Sequence, residues 1–186
     1  FKQASLIHCE NVFVYAMLEA KQNVDTQGIL GVSKGRARMG KGEEITMIFS
    51  HTAQSQLLVR QLTLGVSGRY KTPFLEMDFF DKGYRYKHPK FELQWNKAEE
   101  FINSCQELRA VKDLLKAHLI QLLSQKTNQM PSALFSEVPQ KLKDAYSKAF
   151  CSPEHVGSLS KDFWLSVTGL NQGAAGFLYD AIKSSK

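Results

Sequence analysis

The stretch Ser5–Ala20, SLIHCENVFVYAMLEA, decides the predicted fold because it indicates a buried helix at the start of the chain. Apolar residues such as Leu6, Cys9 and Phe13 recur at three- and four-residue steps, and other apolar positions widen this stripe around most of the helix. Ser5 stands immediately before the periodic run, where an N-cap is expected. We therefore predict a buried helix that opens at Ser5.

The residues that follow have patterns typical of a loop and then of strands. A short strand is predicted at Gly28–Ser33, and the glycine-rich segment after it predicts a mobile basic loop. The cations of this loop are Lys34, Arg36, Arg38 and Lys41. Alternation with a period of two then predicts an antiparallel sheet. Its strands are Glu44–Ser50, Leu57–Leu64, Pro73–Phe80, Tyr84–Lys87 and Lys90–Trp95.

The last part of the chain has helical periodicity. Asn96 is the predicted cap of a long helix that continues to Leu122, and further helices, interrupted at prolines, reach the end of the sequence. Together these elements predict one α+β domain over residues 1–186. It would have a buried N-terminal helix, a central antiparallel sheet and a C-terminal helical bundle.

Composition restricts the classes of function. The 186 residues are 43% hydrophobic with a formal net charge of +6 and a mean hydropathy of −0.29, which favours a globular domain without a membrane span. Three cysteines are an odd number and fit reduced thiols better than a disulfide framework. No phosphate-binding loop or metal-ligand spacing is present, so we expect no cofactor and no metal. The start at Phe1 without a signal-like segment suggests that targeting regions lie outside this sequence.

Three polar residues could form a nucleophilic site. At a helix N-terminus, the unpaired N–H groups lower the pKa of a thiol and can bind an oxyanion, and Ser5 occupies that place here. His88 follows the predicted strand Tyr84–Lys87 and could reach across as the general base. Ser104, 16 residues further on in the predicted helix, could orient the ring of His88.

The arrangement of Ser5, His88 and Ser104 resembles a papain-like family of effector deubiquitinases from Legionella. The triad of that family is Cys, His and Ser, with intervals of 83 and 16 residues, which are the intervals found in this chain. The chain departs from the family at the first position, where Ser5 stands in place of the nucleophilic Cys. The resemblance therefore implies an inactivated Cys-to-Ser variant of a cysteine peptidase, because a hydroxyl ionises far less readily than a thiol.

The resemblance also implies a substrate and a setting. The active enzyme would hydrolyse the Gly-Met bond of linear ubiquitin chains, which are joined through the N-terminal methionine of ubiquitin, with ubiquitin as the partner and no nucleic acid. It would act as a secreted effector in the host cytoplasm or at the pathogen-containing vacuole, dampening inflammatory signalling, with membrane contact only through regions outside this sequence. We expect Gln3 and the N–H groups of Ser5 and Leu6 to bind the oxyanion. The acidic residues expected to contact ubiquitin are Glu43, Glu44, Glu76 and Asp78.

Other interpretations stay open on the residues alone. Without the resemblance, the residues favour Ser5 as a helix cap, His88 as a surface residue and Ser104 as a helix-face hydroxyl. Cys9 is a rival nucleophile, although packing in the core suits it better, and His51 is a rival base or a residue of a polar turn. The main alternative function is a non-enzymatic basic module that binds phosphoinositide or nucleic acid. A weaker alternative is a metal-independent ribonuclease using His51 and His88.

Overall fold

A computed structural model describes residues 2–20, 26, 28–58, 60–125, 131–151 and 156–185. The chain forms two compact units, each built from two stretches of sequence. Unit 1 comprises Phe1–Lys71 and Glu107–Cys151, and unit 2 comprises Thr72–Gln106 and Ser152–Lys186. The single domain predicted for residues 1–186 stays a prediction, since one domain can contain two such units.

Helices dominate the described residues. The helices are α1 (Lys2–Glu19), α2 (Val32–Met39), α3 (Gln61–Leu64), α4 (Val66–Glu76), α5 (Glu92–Ser104), α6 (Gln106–Leu123), α7 (Gln140–Cys151), α8 (Ser158–Thr168) and α9 (Gly173–Ser184). Short 3-10 turns lie at Ala53–Ser55, Pro89–Phe91 and Phe135–Glu137. Strands β1 (Thr46–Ile48) and β2 (Ser132–Leu134) pair antiparallel, with Met47 opposite Ala133.

The predicted papain-like α+β fold is wrong, because the described residues contain a two-stranded sheet and no central sheet. Of the predicted strands, Glu44–Ser50 contains β1, whereas Leu57–Leu64 ends in helix α3 and Pro73–Phe80 begins inside helix α4. Lys90–Trp95 runs from a 3-10 turn into α5, and Tyr84–Lys87 has no strand pairing. Short apolar runs satisfy both periodicities, and tertiary packing decides between them.

The predicted N-terminal helix is confirmed and is central to unit 1. Helix α1 covers Lys2–Glu19, and Val12 and Tyr15 are almost fully buried on it. They pack in a core with residues of α7, including Leu142, which is 0% exposed, and Ala149. A buried helix needs apolar residues around most of its circumference, which is the pattern that the sequence shows.

Unit 2 is held by aromatic rings. Phe79 lies 4.9 Å from Phe74 and 5.4 Å from Trp95 between ring centroids. The indole N–H of Trp95 also donates to the carbonyl of Phe79 at 2.6 Å. Phe101 of α5 stacks on Phe163 of α8 at 4.8 Å, and this contact joins the two chain stretches of the unit. Interlocking rings of this kind bury large areas with few residues.

The predicted strand Gly28–Ser33 is wrong, because residues 28–31 form no strand and helix α2 begins at Val32. The predicted mobile basic loop is also wrong over most of its length, because Val32–Met39 is helical. Lys, Arg, Ala and Met are good helix formers, and a helix can tolerate the single glycine in this segment. Gly35 is that residue, and it is buried against α1. A Cβ atom at this position would lie 2.8 Å from a methyl group of Leu18 and 3.0 Å from one of Val14. Glycine therefore allows the two helices to approach closely.

Candidate functional site

Ser5 lies within the first turns of α1 and is half-buried, with the helix beginning three residues earlier at Lys2. It is therefore a residue of the helix and not the N-cap that the sequence suggested. Gln3, the predicted oxyanion donor, is exposed in the same turn. The N–H of Leu6 faces the carbonyl of Lys2 in the regular helical ladder, so it is already used by the helix.

His88 is an exposed residue whose ring caps the Pro89–Phe91 turn. Its Nδ1 accepts the backbone N–H of Lys90 at 3.2 Å. In the neutral ring the proton is then on Nε2, and the one basic nitrogen is engaged by the backbone. The ring thus has a local structural function, and a general base would need this hydrogen bond to break.

Ser104 is the last residue of α5, whereas His88 precedes the turn that leads into that helix. The helix from Glu92 to Ser104 is about 18 Å long at the usual rise of 1.5 Å per residue. The Ser104 hydroxyl donates to the carbonyl of Phe101 at 2.8 Å, which is the local bond of an exposed helix-face serine. The expected hydrogen bond between Ser104 and the His88 ring is therefore not formed.

The three residues of the predicted triad are also divided between the units. Ser5 belongs to unit 1, and His88 and Ser104 belong to unit 2. Of the predicted acidic surface, Glu43 and Glu44 are in unit 1, where Glu44 accepts the hydroxyl of Ser136. The other two residues, Glu76 and Asp78, are in unit 2, where Asp78 pairs with Lys90 at 3.3 Å.

The contacts of the rival nucleophile, Cys9, and of the rival base, His51, favour structural roles for both. Cys9 is partly buried, and burial followed by the negative charge of Glu10 raises the pKa of its thiol to about 11, so its thiolate is disfavoured. His51 is exposed in a polar turn, where its carbonyl accepts the side-chain amide of Gln56 at 2.9 Å. Of the other thiols, Cys105 directly follows α5 in the chain and is buried, and Cys151 ends α7.

A pair of buried imidazoles was not predicted. His8 on α1 and His118 on α6 are 1% and 6% exposed, and their Nε2 atoms are 3.0 Å apart. The two residues are 110 positions apart, so only the fold brings them together. The sequence signal is limited to a histidine on the apolar face of each helix, which alone indicates no partner.

In the described part of unit 1, a group of four exposed cations belongs to α2 and the turn after it. Lys34, Arg36, Arg38 and Lys41 are all exposed, and no acidic residue lies between residues 28 and 42. Arg36 donates to the hydroxyl of Thr26 at 3.1 Å, and Arg38 donates to the carbonyl of Gln56 at 3.2 Å. Each guanidinium has further donors, because it carries five N–H groups.

The part of the chain that the structure describes contains no group of three or more His, Cys, Asp or Glu side chains suited to a metal ion. None of its helices has the length and apolar character needed to cross a bilayer. In comparisons with known proteins, no protein family, curated protein or solved structure matches this chain.

Proposed function

We propose that unit 1 is a nucleic-acid-binding module that contacts backbone phosphates through the basic surface of α2. This surface consists of Lys34, Arg36, Arg38 and Lys41. The observation that carries the proposal is the exposure of all four cations, three on a helix that Gly35 holds against the core and Lys41 in the turn after it. Phosphate contacts of this kind give binding that does not depend on base sequence.

The arrangement of the cations suits a linear polyanion. Lys34 and Arg38 are four residues apart and share one face of α2, and Lys41 follows in the turn beyond the helix. Arg36 and Arg38 are each tethered by a hydrogen bond to a neighbouring segment, which lowers the entropy lost when they bind phosphate. The net charge favours the same unit: unit 1 contains 16 Lys and Arg against 9 Asp and Glu, a net charge of +7.

The apolar content of α2 favours nucleic acid over a phosphoinositide membrane. An interfacial helix inserts large apolar side chains beside its cations. On α2, Val32 and Met39 are only partly exposed, and the exposed apolar residue between them is Ala37. The helix therefore offers cations to a ligand but little apolar area to a bilayer.

Fluorescence anisotropy with a labelled 20-base-pair DNA duplex and the corresponding RNA tests the proposal. The variant Lys34→Gln/Lys41→Gln removes two cations that have no described structural contact. We expect it to weaken binding and to reduce the slope of log K against log salt by about 2, or about 0.9 for each lost phosphate contact. The matched control, Lys161→Gln/Lys183→Gln, makes the same charge change on exposed residues of unit 2.

An equal loss of affinity in both variants would show that only net charge matters and would contradict the proposal. So would tight binding to vesicles containing phosphoinositide together with no binding to either nucleic acid. Hydrolysis of linear ubiquitin chains by position 5, His88 and Ser104 stays a prediction from sequence intervals, and none of the described contacts favours it.

A further inference from the structure

The imidazole pair, His8 and His118, joins α1 to α6 inside unit 1. The two rings are nearly parallel and meet through their edges, with centroids 5.2 Å apart and planes inclined at 19°. Their Nε2 atoms are 3.0 Å apart, which is the distance of an N–H···N hydrogen bond. Since one nitrogen must donate and the other accept, this contact requires the accepting ring to be neutral, and it is lost when both rings are protonated.

The remaining nitrogens fix the positions of the protons. His8 Nδ1 is buried and has no hydrogen-bond partner. A buried N–H without an acceptor is costly, so we assign the His8 proton to Nε2, from which it is donated to His118 Nε2. His118 then carries its own proton on Nδ1. The remaining basic site of the pair is His8 Nδ1, which no solvent or polar group reaches.

The surroundings of the pair are apolar. The Phe49 ring lies 5.8 Å from His8, and the small core cluster here consists of Ala4, Phe49, Leu122 and Ala133, with Leu119 packed against it. Burial, and then the charge of His118, lowers the pKa of His8 from 6.5 to about 4, and burial also lowers that of His118.

Few charged groups face the pair. From the 3-10 turn before α7, Glu137 lines a cavity of about 220 Å³ together with His118, and its carboxylate already accepts the N–H of Leu134. On α1, the nearest acid in sequence is Glu10, whose carboxylate accepts the side-chain amide of Gln61. Strands β1 and β2 contribute no charged residue to the cluster. None of these groups contacts His8 Nδ1.

We propose that the imidazole pair is an acid-sensitive latch between α1 and α6, which opens unit 1 when a proton is added. The added proton goes either to His8 Nδ1, where it creates a buried and unpaired cation, or to His118 Nε2, where two N–H groups then face each other and the Nε2 contact breaks. Either event favours separation of the helices, because water can then solvate the imidazolium group.

The direction of the pH effect follows from linkage. Between pH 6.5 and about 4, the unfolded chain binds a proton at His8 that the folded chain does not bind. Stability is therefore complete above pH 6.5 and falls as the pH is lowered. At its steepest, His8 alone lowers the folding equilibrium constant by about tenfold for each pH unit, and His118 changes it in the same direction.

Urea unfolding between pH 7 and 4.5 tests the latch by comparison with the variant His8→Gln/His118→Gln. Two glutamines can hydrogen-bond to each other but do not titrate in this range. We expect the urea midpoint of the wild type to fall more steeply with acid than that of the variant. The control His51→Gln, which removes an exposed histidine of the same unit, should retain the wild-type slope. Equal slopes for the wild type and the double variant would overturn the proposal.

Hydrogen exchange on the wild type keeps the proposal testable if the double variant does not fold. After correction for the intrinsic effect of pH, amides of α1 and α6 should lose protection between pH 7 and pH 5, whereas those of α8 in unit 2 should not. Unchanged protection of α1 and α6, or an equal loss in all three helices, would also overturn the proposal.

Discussion

The two units differ in both charge and packing. Unit 1 has a net charge of +7, and its core contains both aliphatic and aromatic residues from α1 and α7 that are almost fully buried. Unit 2 contains 8 Lys and Arg against 9 Asp and Glu, a net charge of −1. Its rings pack around Phe79, while α9 leaves Phe177 80% and Leu178 61% exposed. The overall charge of +6 therefore describes neither unit, and the basic surface belongs to the unit with the tighter core.

Removing core volume should show the difference in packing most clearly. Leu142→Ala deletes methyl groups from a fully buried position of unit 1, and we expect the free energy of unfolding to fall by about 2–5 kcal/mol. The matched change Leu178→Ala affects an exposed residue of α9 and should alter the free energy by less than about 0.5 kcal/mol. Urea unfolding followed by circular dichroism measures both. Equal effects would mean that Leu142 is not in a closed core.

The close approach of α2 to α1 gives the next largest effect. Gly35→Leu forces a side chain into the contact with Leu18 and Val14, and overpacking of this kind costs about 1–3 kcal/mol. Ala37→Leu adds the same side chain at an exposed position of the same helix and should be nearly neutral. Thermal unfolding distinguishes the two variants. A neutral Gly35→Leu would show that α2 is not tied to the core.

In unit 2, a single indole hydrogen bond can be removed without removing the ring contacts. Trp95→Phe removes the donor to the Phe79 carbonyl, and we expect a loss of about 1 kcal/mol. Trp164→Phe makes the same change elsewhere in the aromatic cluster and serves as the control. If both variants lose the same stability in urea, ring size and not the hydrogen bond explains the effect.

The smallest expected effect concerns the predicted triad, whose members are divided between the units. Ser5→Cys places at position 5 the nucleophilic thiol that the resemblance implies. We expect no cleavage of linear diubiquitin, because α5 separates His88 from Ser104. Gel analysis after incubation with linear and lysine-linked diubiquitin measures this. Cleavage of the linear chain that disappears in Ser5→Cys/His88→Ala would support the peptidase hypothesis.

Some elements could be predicted because local pattern and final packing agree. Helix α1 is apolar around most of its circumference and is in fact buried, and the region of α6 has apolar residues at helical steps. The start of α5 and the break between α5 and α6 were less predictable. Asn96, expected to be a cap, lies inside α5, and the helical region is broken at Cys105, where the backbone is extended. No local residue type at this position signals that break.

The middle of the chain was predicted wrongly because its signals were ambiguous. Pro73 was predicted to begin a strand, but it lies inside α4. Gly35 and Gly40 suggested a loop, although the first is a helix–helix contact and the second is the residue that follows the helix. The basic residues were identified correctly as a group, whereas the imidazole pair depends on contacts across 110 residues that no local pattern contains.

The order of the chain has a consequence for synthesis. Helix α1 is complete at Glu19, but its main packing partner, α7, ends at Cys151, after the first stretch of unit 2 has already been made. At about 5–20 residues per second, the ribosome needs on the order of ten seconds between these two points. During that interval the most apolar helix of unit 1 lacks its packing partner. The nascent chain should therefore be most prone to aggregation, and most dependent on chaperones, before α7 emerges.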